Sequence, residues 1–370
     1  MQESAKESNY YRQMSDLTNY NPSQREAVTF GEGPLLVLAG PGSGKTFTIT
    51  QRILYLIHEK QIPPQKLLVI TFTREAAVSM RQRFLQISPQ HTTVNFGTFH
   101  SCFYQILLRS GRVSPGNILN EKQKKELIYP VLKKIKAHNA LSATDLPELA
   151  KNLLTAIGYY KNTGDLQSSM DRLPEEWKND FAQVYSGYEE ARKRIRGLDF
   201  DDMLKECEEL LQKDDALRIY WQNLFSYILI DEFQDINYRQ YCIVRLLAQK
   251  HKNVFAVGDD DQAIYGFRGA KPACMKQFVQ EFGAKQIILS TNYRSHQDIV
   301  EASLAVIAEN SDRFPKNLEP CEANRRHLGK MDKKNYHVRI QEFSGAKEQL
   351  QFLMRQLKDR TEGETYGILF

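Results

Sequence analysis

The chain has 370 residues, 41% hydrophobic and 26% charged, with 50 Lys and Arg against 45 Asp and Glu for a net charge of +5. These values describe a globular protein of roughly two or three domains, and a basic tilt that is compatible with nucleic acid without establishing it. No apolar run approaches the roughly 18 residues that span a bilayer, MQESAKESNYYRQ has no signal-peptide core, and the cysteines form no CxxC pair, so a reduced cytoplasmic protein without a zinc site is expected.

In chain order, short apolar runs alternate with longer amphipathic ones. LLVLA (35–39), LLVITF (67–72) and TVNFGTF (93–99) read as strands. Strand signals then stop between Leu107 and Gly197, where EKQKKELIYPVLKKI, DLPELAKNLLTAIGYYK and a third stretch through EEWKNDFAQVYSGYEEARKRIRG read as helices. Strands resume at YILID (227–231), NVFAVGD (253–259), QIILS (286–290), HVRIQEF (337–343) and YGILF (366–370). The alternation predicts an α/β fold, a parallel sheet covered on both faces, with an all-helical insertion. The last strand lacks a following turn, so the chain is expected to stop inside a domain.

The stretch AGPGSGKT runs Ala39, Gly40, Pro41, Gly42, Ser43, Gly44, Lys45, Thr46, between the first predicted strand and a helix. A glycine-rich turn there exposes backbone N–H groups that wrap phosphate oxygens, with the positive helix end behind them. Lys45 reaches the β- and γ-phosphates in such a nest, and the Thr46 hydroxyl coordinates Mg²⁺. The usual GxxxxGK[ST] begins with glycine; Ala39 stands there and is small enough to be tolerated. In YILIDEFQD, an apolar strand delivers Asp231 where ligands of parallel sheets gather, as the Mg²⁺ partner, with Glu232 beside it to deprotonate an attacking water.

DEFQD in full, and the segments around it, resemble superfamily 1 helicases of the UvrD/Rep type. NPSQREAV (21–28) resembles their adenine-reading motif, LLVITFTREAA (67–77) and FGTFHS (96–101) their motifs Ia and Ib, LDFDDML (198–204) the segment closing their helical insertion, VGDDDQAIYGFRGA (257–270) motif III and LSTNYRS (289–295) motif IV. The resemblance covers nearly the whole chain. It implies a P-loop NTPase (RecA-like) core at 1–110 and 197–282, a helical insertion at 111–196, and an incomplete second RecA-like domain at 283–370. It implies an ATP-dependent DNA helicase or translocase that moves 3′ to 5′ on single-stranded DNA or at junctions with duplex. The piece by itself is expected to bind nucleotide weakly and not to unwind DNA.

Roles follow motif by motif. An amide pairs with both N6 and N7 of adenine, which makes Gln24 the base reader; Tyr293 stacks on the purine. Phe47 occupies a position where relatives often carry arginine. Gln262 senses the γ-phosphate and the attacking water, and Arg294 is the arginine finger. Asp259 ends a strand and belongs to the metal site or its loop; Asp260 and Asp261 are open between that and solvated surface. Phe72, Tyr265 and Phe267 are the wedges on which bases stack, with Arg268 on phosphate or base, and Thr98 and His100 on the backbone. Basic runs in the insertion, ARKRIRG (191–197) among them, are open between phosphate contact and solvated faces. Two other readings stand beside the motor: a protein-displacing translocase or the motor of a helicase–nuclease, and an ATP-binding regulatory module that does not hydrolyse. The module would lack Lys45 or Glu232, and both are present.

Overall fold

The computed structural model describes residues 20–135, 146–266, 269–324, 338, 340–358 and 367–368. Among them, six strands form one parallel sheet, β1 (Leu35–Ala39), β2 (Leu67–Thr71), β3 (Asn95–Thr98), β4 (Tyr227–Ile230), β5 (Val254–Gly258) and β6 (Lys285–Leu289), in the order β3-β2-β4-β5-β1-β6. Side chains alternate between its faces. Leu36, Leu38, Leu68, Ile70, Ile228 and Ile230 enter one core cluster, beneath helices Phe99–Arg109, Phe200–Lys213 and Tyr238–Ala248. Leu35, Val37, Leu67, Val69, Leu229 and Phe255 enter the other, beneath Lys45–His58 and Arg74–Ile87. Both faces are covered, which is why these strands read as unbroken apolar runs.

Three differences from the sequence reading have physical causes. The strand read as opening a second domain at 283 is β6, and it pairs with β1 over five positions from Leu35↔Lys285 to Ala39↔Leu289. The first sheet therefore extends past the expected boundary. A second pairing begins only afterwards, between Thr291–Asn292 and Glu319–Pro320. Of HVRIQEF, residues 338 and 340–343 are described and are not in a strand; YGILF lies mostly outside the described residues. The third helical stretch of the insertion is two helices, Glu175–Lys178 and Phe181–Arg194, interrupted at Asn179 and Asp180.

The insertion has its own apolar core, with Leu153, Ile157, Trp177, Phe181 and Tyr188 buried together. It is fastened to the α/β part by buried charge. Lys161, from helix Leu146–Thr163, meets Glu189 at 2.7 Å, Asp199 at 2.8 Å and Asp202 at 2.8 Å. Arg192 meets Glu189 at 2.8 Å and Asp202 at 2.9 Å and donates to the Gly197 carbonyl at 2.8 Å. Asp199 also caps helix Phe200–Lys213, sharing a capping box with Asp202. The DFDD of LDFDDML is thus a junction of cap and ion cluster. Burial opposes the charge on Lys161, but the carboxylates outweigh it and hold its pKa well above the ordinary value.

Removing one partner of a buried ion cluster strands the others. Lys161→Met is expected to destabilise the chain by about 3–5 kcal/mol in urea unfolding, whereas Lys122→Met, which removes an exposed pair with Glu126, is expected to move stability by less than about 0.5 kcal/mol. Equal effects would contradict the assignment of Lys161 as the fastening group.

Candidate nucleotide site and the adjoining strand face

Because the sheet is parallel, every strand in it ends at the same edge, and the site is built from the segments that follow them. After β1 comes the glycine-rich loop. Ala39 is fully buried in the core as the last strand residue, and its backbone does not take the positive φ that would call for glycine. Gly42 and Gly44 do take it, at +71° and +88°. A Cβ on Gly42 would stand 2.7 Å from both Asn292 Oδ1 and Arg294 Cβ. Gly44 is the N-cap of Lys45–His58 with no side chain over the helix end, so the first-turn N–H groups stay open to an anion. Ser43 braces the turn, its hydroxyl donating to the Gly40 carbonyl at 2.7 Å.

The acidic wall follows β4 and β5. Lys45 Nζ donates to Glu232 Oε2 at 3.0 Å and to Gln262 Oε1 at 3.4 Å. Glu232 stands at φ +51°, ψ +48°, a left-handed conformation that a non-glycine residue adopts at a cost of order 1–3 kcal/mol. Its Oε2 also accepts from Gln234 Nε2 at 2.8 Å. Burial and then the charge of Glu232 push Asp231 up to about 6, with Lys45 pulling the other way. Thr46, Asp231, Glu232 and Gln262 line one cleft of about 460 Å³ together with Phe72 and Tyr265. The Thr46 hydroxyl and the Asp231 carboxylate are hard oxygen donors of the kind Mg²⁺ takes. Asp259, Asp260 and Asp261 are paired with Lys316 and Arg313.

On the base-reading side, both ends of the Gln24 amide are engaged. Its Oε1 accepts from the Asn21 backbone at 3.3 Å in a capping box, and Nε2 donates to the Ser43 carbonyl at 3.2 Å. As placed, Gln24 braces the phosphate loop, and pairing with a base requires its side chain to turn. Tyr293 is exposed, with its hydroxyl accepting from Asn21 Nδ2 at 2.8 Å. Phe47 is also exposed and packs on Tyr20 with ring centroids 5.4 Å apart. Tyr20 escaped the sequence reading because a single aromatic ahead of a cap carries no pattern. So did Asn292, which is buried: Nδ2 donates to the Pro41 carbonyl at 2.8 Å, and Oδ1 accepts from the Arg294 and Ser295 N–H groups, each at 2.8 Å. Asn292 docks the arginine-bearing turn on the phosphate loop, and Arg294 itself is exposed there.

A second cavity of about 1180 Å³ lies between the sheet edge and the insertion, and Phe72, Thr98 and His100 line it with Lys124, Lys125 and Lys151. Phe72 and Tyr265 stand ring to ring, centroids 5.0 Å apart, in direct contact. The Thr98 hydroxyl caps helix Phe99–Arg109 by accepting from Ser101 N–H at 3.2 Å. His100 packs edge-on to Phe200 at 5.5 Å, and burial lowers its pKa. Phe267 and Arg268 lie outside the described residues. Of ARKRIRG, Arg192 is buried in the ion cluster and is not a phosphate contact, while Lys193, Arg194 and Arg196 are exposed. Phe72, Thr73 and Asp235 line both cavities.

A phosphate loop, an acidic pair after a neighbouring strand and a third polar loop on one edge of a parallel sheet define an α/β nucleotide-binding protein of the P-loop class. The comparisons narrow this. The UvrD/REP helicase N-terminal domain family matches residues 20–283, and the chain belongs to that family. It is 40% identical over 310 residues to YjcD of Bacillus subtilis (strain 168), spanning 81% of this chain and 40% of that protein. It is 40% identical over 311 residues to the ATP-dependent DNA helicase PcrA of Staphylococcus epidermidis (strain ATCC 35984), spanning 81% of this chain and 41% of PcrA. With PcrA of Staphylococcus aureus (strain Mu50) identity is 36% over 358 residues, 95% of this chain and 47% of PcrA. The chain thus spans less than half the length of these curated relatives. Among the described residues no helix is long and apolar enough to cross a membrane.

Asp235 generates a prediction. It is 7% exposed, its Oδ1 has no hydrogen-bond partner, and burial followed by the charge of Glu232 raises it to about 6. A carboxyl that holds its proton more tightly folded than unfolded favours folding in acid, and that contribution is lost as pH rises through about 6. Asp235→Asn is therefore expected to leave stability near pH 4 little changed and to raise it at pH 8 by on the order of 1 kcal/mol, after allowance for solvent screening. Urea midpoints at the two pH values measure it; a variant equally or more destabilised at pH 8 would contradict the burial argument.

Proposed function

We propose that the chain is the ATP-hydrolysing front of a DNA motor, a helicase or translocase that couples ATP hydrolysis to movement along single-stranded DNA, 3′ to 5′ as in the family it resembles. One observation carries the reading: Phe72 and Tyr265 line the same cleft as Thr46, Asp231, Glu232 and Gln262. A change in the nucleotide is then felt directly by the aromatic pair.

In this reading the loop amides of 40–46 and the Lys45 ammonium receive the triphosphate. Glu232 is the base that orients and deprotonates the water, which explains why it is tolerated in a strained left-handed conformation beside Lys45. Gln262 turns its Oε1 to the cleft to sense the γ-phosphate, and Arg294 reaches in to stabilise charge on the transferring phosphoryl group. Thr46 and Asp231 would hold Mg²⁺, which neutralises phosphate charge when bound. Gly42, where Asn292 and Arg294 approach within 2.7 Å of a Cβ position, is the seam on which the arginine turn closes. Bases stack on Phe72 and Tyr265, and on Phe267 by resemblance; Thr98, His100 and Arg268 hold the backbone, and the insertion lysines supply positive potential above the strand. Separation of the two rings admits a base, and their contact expels it.

The test is phosphate release by the full-length polypeptide with and without single-stranded DNA. We expect at least about tenfold stimulation, loss of turnover by about 10²–10⁴-fold in Glu232→Gln with nucleotide still bound, and weakened nucleotide binding in Lys45→Ala. Turnover indifferent to DNA would overturn the motor. In a separate binding measurement, Phe72→Ala is expected to lose about 1–3 kcal/mol of single-strand affinity; an unaltered affinity would remove Phe72 from the strand site.

A further inference from the structure

A group of charges outside the phosphate loop and the DEFQD strand stands behind Gln262, one of the residues that line the nucleotide cleft. Asp259, Asp260 and Asp261 follow β5 with their carboxylates within 4.8 Å of one another, and a trio packed so closely in partial burial repels itself unless cations are supplied. The cations come from 313–316, beyond helix Gln297–Ile307. Lys316, 4% exposed, bonds Asp259 and Asp260 and lies 3.0 Å from Asp261. Arg313 grips Asp261 with Nε at 2.8 Å and Nη2 at 2.6 Å, and the Phe314 N–H donates to Asp260 Oδ2 at 2.6 Å. Burial pulls Asp261 up, but the bonds from Arg313 and Lys316 outweigh it and hold its carboxyl below the usual range.

The clamp touches the hydrolytic groups through one residue. Asp259 is fully buried; its Oδ2 accepts from Gln262 Nε2 at 2.6 Å, and Gln262 Oε1 faces Lys45 at 3.4 Å. The Asp259 N–H donates to Gln234 Oε1 at 3.0 Å, Gln234 Nε2 donates to Glu232 Oε2 at 2.8 Å, and Glu232 returns to Lys45 at 3.0 Å. The circuit runs Lys45, Glu232, Gln234, Asp259, Gln262 and back. The Asp259 oxygen accepts from the amide nitrogen of Gln262 and so leaves the amide's carbonyl oxygen for the cleft. A displaced Asp259 loses that selection, and the amide is then able to turn over.

We propose that Lys316, backed by Arg313, is a positioning residue for ATP hydrolysis: it holds the Asp259 side chain in place, and thereby fixes which end of the Gln262 amide meets the nucleotide. Lys316 does not itself touch the cleft residues Lys45, Glu232 or Gln262 in any bond described here; it acts through Asp259. The inference rests on the ATPase reading above and adds to it a residue that no motif of the resemblance contains.

The test compares the full-length polypeptide with Lys316→Met, Lys316→Arg, Asp259→Asn and the Lys316→Met/Asp259→Asn double variant, reading kcat and KM for ATP at saturating single-stranded DNA, and amide hydrogen exchange over 259–263 without nucleotide. Lys316→Met is expected to lower kcat by about 10–100-fold with KM within about threefold, Lys316→Arg to recover most of it, and the double variant to be no slower than the slower single one. Exchange over 259–263 is expected to rise at least about tenfold in Lys316→Met and to stay near the parent in Lys316→Arg. A parent-like kcat in Lys316→Met, a loss confined to KM, fully additive losses or unchanged exchange would each overturn the proposal. A parent with no DNA-stimulated turnover would instead sink the motor reading, and the exchange arm, which needs no turnover, would still decide whether Lys316 holds the loop.

Discussion

Parallel pairing of β1 with β5 on one side and β6 on the other decides which loops can meet. Hydrogen-bonded in the same direction, the strands deliver their C-terminal ends to one edge, and each end carries chemistry. The phosphate loop leaves β1, Asp231 and Glu232 leave β4, Asp259 to Gln262 leave β5, Phe72 leaves β2 and Thr98 leaves β3. The pairing of β6 beside β1 has the most specific consequence. It lands Asn292 on the Pro41 carbonyl at 2.8 Å, so an arginine about 250 positions downstream in sequence stands over the glycine loop. Antiparallel pairing anywhere in this sheet would send one of these groups to the far edge.

Around that edge, most of the carboxylates have a cation beside them. Lys45 lies between Glu232 and Gln262, while Lys316 and Arg313 meet the acids after β5. Asp231 and Asp235 are the exceptions, both buried, both raised to about 6 by that burial and by the charge of Glu232. A site that concentrates negative charge in this way favours an incoming cation, which fits the proposed use of Mg²⁺ with ATP.

The helical insertion is tied to this edge rather than hung loosely from it. Lys161 and Arg192 join its helices to Asp199 and Asp202. One residue further along the same helix, Asn162 accepts from Asn237 Nδ2 at 3.1 Å and donates to Asp201 at 2.7 Å. Asn237 caps the helix that follows DEFQD, and Asn162, Asp201 and Asn237 all line the larger cavity. With Phe72, Thr73 and Asp235 common to both, the two cavities share a physical wall.

The amino-acid order by itself determined the α/β class, the presence of a helical region between β3 and β4, and the places of the glycine-rich loop and the acidic pair. Those features are local: five-residue apolar runs buried on both faces, glycines at obligatory positive φ, and a carboxylate placed by the strand before it. What it left undecided was pairing over long separations. Periodicity finds β6 but does not say which sheet it joins; it pairs with β1. Arg313 and Lys316 sit in a stretch with no motif, and an exposed-looking lysine becomes a buried one only when three carboxylates more than 50 positions away close around it. Gln24 and Thr98 carry hydrogen-bonding capacity that a sequence displays, whereas the tertiary structure decides where the capacity goes: to a loop carbonyl in one case and a helix cap in the other. The division has one cause, since backbone preference and burial pattern act between near neighbours, while the partners of a charge or an amide are set by the packing of distant elements.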